Sequence, residues 1–302
     1  MWNQNKKDIE ENINMLNEAI RLNPNIPEYH FEKAKALVGI NLFNEAIVEY
    51  DLAIQLDPIN PCYHYEKART LVSIEKCENA LIEYDLAIQL DPKISTYHNK
   101  KADTLMNLNR YEEAIIEYDN AINLNPKDPE YHSNKANALI LMKKYEEAIK
   151  ELDLAIEYDI DSAYYHYEKA NAFICLNRYN DAIKEYDIVI NLYPNKGCPH
   201  YNKAIALKKL NKYNESLTEL DKAIELDYNN FYTMILYAQV LACMDKHMEA
   251  LKKLKETLEQ NKESKNEFCE IVNLEINTEG ITDKERKVLV DFINEVCHTY
   301  SL

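Results

Sequence analysis

The pattern His-x-x-Lys-Ala begins at His30, His64, His98, His132, His166 and His200, each 34 residues after the last. A period of that length, kept without a single insertion, marks an array of small units that cannot bury an apolar face alone and must stack on their neighbours. Cut at this interval, residues 27–264 form seven units: 27–60, 61–94, 95–128, 129–162, 163–196, 197–230 and 231–264. A chain of 302 residues has room for two compact domains, but a strict period points to an elongated stack instead.

Apolar spacing places two helices in each unit. In 61–94 one stripe runs through Tyr63, Ala68, Leu71 and Ile74, and a second through Cys77, Ala80, Leu81, Tyr84, Ala87, Ile88 and Leu90. Alanine recurs where paired helices approach closely, at Ala34, Ala68, Ala102, Ala136, Ala170, Ala204 and Ala238, and again at Ala46, Ala80, Ala114, Ala148 and Ala182. Asn41, Asn109, Asn177 and Asn211 stand between the helices, where a left-handed backbone is tolerated by asparagine. Pro58, Pro92, Pro126 and Pro194 end second helices. Three glycines, nine prolines and 29% charged residues fit an ordered helical protein.

These residues resemble the tetratricopeptide repeat, most fully in 95–128 through Ala102, Leu105, Tyr111, Ala114, Tyr118, Ala121 and Pro126. His stands for the usual tryptophan, Lys for leucine, and Ala for the glycine of the first helix. Ile160 and Tyr228 replace the expected proline, which predicts less sharply defined turns there. The unit 231–264 departs furthest, with Met234 at the histidine position and Thr257 and Lys262 at signature sites. The resemblance implies an all-α fold: a right-handed superhelical solenoid of tetratricopeptide-type helix-turn-helix repeats.

The ends read as parts of the same array. Residues 1–26 are expected to form an N-terminal half-repeat, a single second-type helix over 7–22 with Ile9, Ile13, Leu16, Ala19 and Ile20 on one stripe. Residues 265–302 leave the period and read as a C-terminal helical cap of two helices, about 265–275 and about 283–298, the second opened by a Thr282–Glu285 capping box. A solenoid needs such a cover on its last apolar face.

One histidine per repeat cannot form a metal site, because stacked helices stand about 8–10 Å apart and ligands must converge on one ion. A near-identical ladder also suits no single catalytic centre. Packing at a part-buried position, with one ring nitrogen hydrogen-bonded, is the expected role. Neutral buried imidazoles predict a folded pKa below about 6.5 and stability lost as pH falls through it. Lys33, Lys67, Lys101, Lys135, Lys169 and Lys203 are expected to lay their stems on the helix interface and pair with carboxylates of the following helix, such as Glu49/Asp51 or Glu83/Asp85.

The net charge of −17 opposes nucleic-acid and anionic-membrane binding, and no apolar run is long enough for membrane insertion. Seven cysteines without a C-x-x-C pair suggest neither a disulfide framework nor a zinc knuckle. That cysteine usage and an N-terminus without an apolar leader fit a cytoplasmic protein.

The resemblance implies that first helices line a concave face. Its candidate partner-binding residues are Phe31, Lys35, Tyr65, Arg69, Asn99, Asp103, Asn137, Tyr164, Tyr167, Asn171 and Tyr201. Candidate lining positions also include Ile235, Gln239, Lys208, Ala242, Glu28 and Glu130, and Lys35, Arg69 and Lys208 balance Asp103, Glu28 and Glu130 to no net charge. Tyrosine and asparagine in a neutral groove suit the amides of an extended peptide. The lysine-and-asparagine clamp by which some family members hold chaperone C-terminal carboxylates is absent, although Lys35 and Arg69 remain available to another carboxylate. The expected function is a non-catalytic adaptor that binds a protein or peptide partner without cofactor or metal. The alternative is a self-assembling subunit, a homo-oligomer joined through the N-terminal half-repeat.

Overall fold

The computed structural model describes residues 2–260 and 264–297, apart from the side chains of residues 2–6, 260, 265 and 297. Among the described residues every regular element is helical. The chain divides into two compact units, Met1–Ile160 and Asp161–Leu302. The first holds α1 (Trp2–Leu22) and four helical hairpins: α2 (Pro27–Gly39) with α3 (Phe43–Leu56), α4 (Pro61–Ser73) with α5 (Cys77–Leu90), α6 (Ser95–Asn107) with α7 (Tyr111–Leu124), and α8 (Pro129–Leu141) with α9 (Tyr145–Tyr158). The second holds three hairpins: α10 (Ala163–Cys175) with α11 (Tyr179–Leu192), α12 (Gly197–Lys209) with α13 (Tyr213–Glu225), and α14 (Phe231–Cys243) with α15 (His247–Gln260). Two more helices follow, α16 (Lys265–Ile276) and α17 (Asp283–Phe292), then a π turn, Ile293–Cys297.

Each hairpin turn is built the same way. The residues at 34-residue spacing, Asn41, Glu75, Asn109, Lys143, Asn177, Asn211 and Asp245, all have φ between 57° and 62°. The next amide donates back to the first helix, as in Leu42 N to Leu37 O and Lys76 N to Leu71 O, both 2.9 Å. This is a Schellman closure, which satisfies carbonyls the ending helix leaves unpaired. The sequence marks four of these turns with asparagine; Glu75, Lys143 and Asp245 adopt the same conformation, at a steric cost for the longer Glu and Lys side chains.

The three-residue turn forces the helices side by side, and small residues let them close. Ala34, Ala46, Ala68, Ala80, Ala102 and Ala114 are all fully buried. In the sixth hairpin Ser216 takes the small position, and its hydroxyl donates to Ala204 O at 2.8 Å. Tyr50, Tyr84, Tyr118 and Tyr186 fill the space beyond their pairs at 1–2% exposure, and Leu152, Leu220 and Leu254 take that place in the remaining hairpins at 0%.

The two turns without proline are not loosened. Asp159 ends α9 with φ −142° and ψ 84°, within a few degrees of Asp57 and Asn125, which do precede proline. At the end of α13, Asp227 turns left-handed (φ 60°) and Tyr228 N donates to Ala223 O. Tyr228 then packs where a side chain at Gly197 would stand: a Cβ there would meet Tyr228 Cβ at 2.3 Å. Gly197 and Tyr228 therefore form a matched pair.

Both ends differ in detail from the sequence reading. The first helix extends back to Trp2 rather than starting at residue 7. The last predicted helix breaks into α17 and the π turn, and residue 298 lies outside the described residues. Thr282 and Glu285 do form the capping box. Cys269 is disulfide-bonded, which the odd cysteine count gave no reason to expect.

Candidate functional site

The histidine ladder is one edge of a buried polar relay. His30, His64, His98, His132, His166 and His200 are 4–9% exposed. Each presents Nδ1 to Oε2 of the glutamate 19 residues later, Glu49, Glu83, Glu117, Glu151, Glu185 and Glu219, at 2.6–2.8 Å. The other oxygen of that carboxylate takes the ladder lysine at 2.6–2.9 Å. Lys67, Lys101, Lys135 and Lys203 also reach back to Asp51, Asp85, Asp119 and Asp187 of the preceding repeat at 2.6–2.7 Å. A single lysine thus ties two hairpins together.

The expected lysine–carboxylate pairing is present, and the expected neutral histidine is corrected at His132. There Nδ1 faces Glu151 and Nε2 faces Pro126 O at 3.0 Å, so two acceptors meet the two ring nitrogens. Both nitrogens must donate, which requires the imidazolium. The Glu151 hydrogen bond accordingly holds the His132 pKa above its ordinary value despite burial. The partners move the opposite way. Burial would raise the Glu83, Glu151 and Glu219 carboxyls, but the His and Lys donors overcome it and hold each below the ordinary range; Glu117 falls to about 2. Among the described residues no group of three or more His, Cys, Asp or Glu could hold a metal.

The first-helix face varies along the chain. In the first unit Lys35 and Arg69 are half-exposed and lie over the rings of Phe31 and Tyr65, at 5.2 and 5.7 Å. Each is also held by an acid one turn earlier, Glu32 at 3.1 Å and Glu66 at 3.0 Å. Together with Val38, Tyr50, Thr70 and Ser73 they line a cleft of about 310 Å³. Phe31 and Tyr65 themselves are wedges between repeats, packed on Tyr63 and Tyr97 at 4.9 and 4.8 Å.

Further along, the same face becomes a closed network. Asn99 is only 2% exposed: it accepts from Asn134 at 3.2 Å and donates to Glu130 at 3.5 Å. Asp103 accepts from Tyr118 Oη and Lys100, both at 2.8 Å. Asn137 is half-buried. Sequence reasoning missed Glu32, Glu66 and Lys100. Their spacing of three from Lys35, Arg69 and Asp103 is the signal that would have found them.

In the second unit Tyr167 shares its hydroxyl with Cys198 Sγ at 3.2 Å and Asn202 at 2.6 Å. Asn171 accepts from Tyr186 at 2.7 Å, and Tyr201 packs on Tyr228 at 5.5 Å. Tyr164 stays 51% exposed. At the end of this unit the face is covered by the chain itself. Ile235 and Ala242 join Phe268, Val272, Val288, Leu289 and Phe292 of α16 and α17 in one apolar cluster. Lys208 pairs with buried Glu285 and also donates to Gln239 at 2.8 Å.

A tetratricopeptide repeat family model matches residues 102–142, and a second matches 129–159 and 199–230. No curated protein matches the chain. Among solved structures, it is similar to the C-terminal part of a TPR repeat-containing protein from Cytophaga hutchinsonii (17% identity, TM-score 0.68, 76% of this chain and 94% of that one). It is also similar to a tetratricopeptide repeat protein from Parabacteroides merdae (16%, 0.60, 87% and 98%). A third is YrrB, described as a TPR protein with an unusual peptide-binding site (18%, 0.54, 61% and 95%). At these identities the structures show a shared fold. The family models, the 34-residue hairpins and the αL turns agree on tetratricopeptide-type repeats within this all-α fold.

Proposed function

We propose that the first-helix face binds a segment of a partner protein, with the Lys35–Arg69 cleft as its polar anchor in the first unit. The carrying observation is the behaviour of α16 and α17. At the position that Lys35 and Arg69 hold half-exposed in the first unit, Gln239 is covered by these helices to 6% exposure, and Ile235 one turn earlier to 2%. The face is therefore chemically suited to receive apolar side chains bordered by charged groups. Peptide binding by YrrB, a similar fold, supports the same reading. Lys35 and Arg69 offer a partner carboxylate two half-exposed cations already oriented over aromatic rings.

Panning a random peptide library against the intact chain tests this reading. Selected peptides should bind at least tenfold more weakly to a Lys35→Glu, Arg69→Glu variant whose melting is unchanged. Peptides that bind both proteins equally would place the site elsewhere.

A further inference from the structure

The second helices of the first unit carry a feature that packing does not require. Val48 in α3, Ile82 in α5 and Ile116 in α7 occupy the same position one repeat apart and are 57%, 60% and 59% exposed. At that position α9 has Lys150 and α11 has Lys184, and those hairpins close in the same way. An apolar residue there is thus dispensable for the fold, yet three consecutive repeats retain one.

The surroundings define what could cover it. Between α3 and α5 lies an open cleft of about 450 Å³ bordered by Ile47, Leu71 and Ile82. Between α5 and α7 lies another of about 430 Å³ bordered by Leu81, Ile82, Leu105 and Ile116. The helices themselves are acidic: α3, α5 and α7 carry ten Asp and Glu and no Lys or Arg. Lys67, Lys101 and Lys135 are drawn inward to 16–18% side-chain exposure, while Asp51, Asp85 and Asp119 stay outside at 54%, 61% and 48%. Each repeat therefore withdraws its cation and shows its carboxylate. Arg110, the guanidinium in the second cleft, is itself held by Glu78 and Glu113. Lys76 lies on the first cleft.

We infer that α3, α5 and α7 form a second docking surface, one that takes a basic amphipathic helix of a partner protein. A helix laid across the three presents one apolar face, residues two turns apart at i, i+7 and i+14, to Val48, Ile82 and Ile116. Its lysines or arginines reach the flanking aspartates. This surface is independent of the Lys35–Arg69 cleft.

The probe is a labelled 18-residue helical peptide with leucine at every seventh position and the adjoining turn, lysine at most others, read by fluorescence anisotropy on the full chain. The test variant is Ile82→Lys, Ile116→Lys, a substitution that Lys150 and Lys184 show the repeat accepts. Binding should weaken at least tenfold in this variant, fall with added salt, and remain unchanged in Lys35→Glu, Arg69→Glu. Equal binding to wild type and the Ile82/Ile116 variant overturns the inference, as does equal binding of a peptide with glutamate in place of lysine. A concentration-dependent dimer that Ile82→Lys, Ile116→Lys abolishes would assign the surface to a second copy of this chain and also overturn it.

Discussion

The third repeat and the seventh solve the same packing problem with opposite chemistry. In the third, His98, Lys101 and Glu117 form a buried ionic set, tied to the previous repeat through Asp85. In the seventh the equivalent positions hold Met234, Tyr237 and Lys253, with Lys253 Nζ over the Tyr237 ring at 4.8 Å. The core around the seventh is larger and apolar, with the Phe231 ring stacked on Phe268 and the Phe292 ring tilted against it. The relay is therefore not demanded by the helical hairpin. Its use is to join one repeat to the next in a fixed register, since Lys101 bonds both its own glutamate and its neighbour's aspartate. Buried ion pairs add little net stability against an apolar alternative but make a one-sided loss costly.

That contrast is broken most severely by removing the carboxylate. Glu117→Ala leaves buried His98 without its Nδ1 partner and Lys101 with Asp85 alone, and should cost about 3 kcal/mol or more in urea unfolding. Grafting the seventh repeat's set, His98→Met, Lys101→Tyr and Glu117→Lys together, should cost less than Glu117→Ala alone. A triple variant more damaged than the single one would show that the relay is indispensable to the hairpin.

A smaller effect probes the one turn where packing departs from the repeat. Gly197→Ala pushes a methyl into Tyr228 and should destabilise by about 1–3 kcal/mol. Smallest is a gain. Glu75→Asn places asparagine at φ 60°, as in four sister turns, and should raise stability by up to about 1 kcal/mol. No change in the denaturation midpoint would mean that Glu75 carries no turn strain.

The period made the hairpins, the alanine contacts and the turns legible, because each depends on residues within one 34-residue interval. The lysine–carboxylate pairing was visible for the same reason: Lys67 precedes Glu83 by 16 residues, and the spacing recurs. The charge state of His132 was not, because it rests on Pro126 O, a backbone atom placed by the turn before the helix. Nor was the openness of each lining position. Tyr65 and Asn99 share a position, yet Asn99 is sealed by Asn134 and Glu130 while Tyr65 sits beside a cleft. The cover over Ile235 comes from residues more than 30 positions away that follow no period, and spacing carries no record of it.

The most direct test of the ionised relay is a proton NMR titration of His132, assigned by loss of its signal in His132→Gln, alongside urea unfolding at each pH. Its pKa is raised on folding, so the stabilisation it contributes is complete below about 6.5 and lost as pH rises through the folded value. The lowered glutamates contribute stability above about 4.5 that is lost as pH falls. The account predicts a His132 midpoint above 6.5, no loss of stability between pH 7.5 and 5.5, and a steep loss below 4.5. A midpoint below 6.5, with stability already falling at pH 5.5, would contradict it.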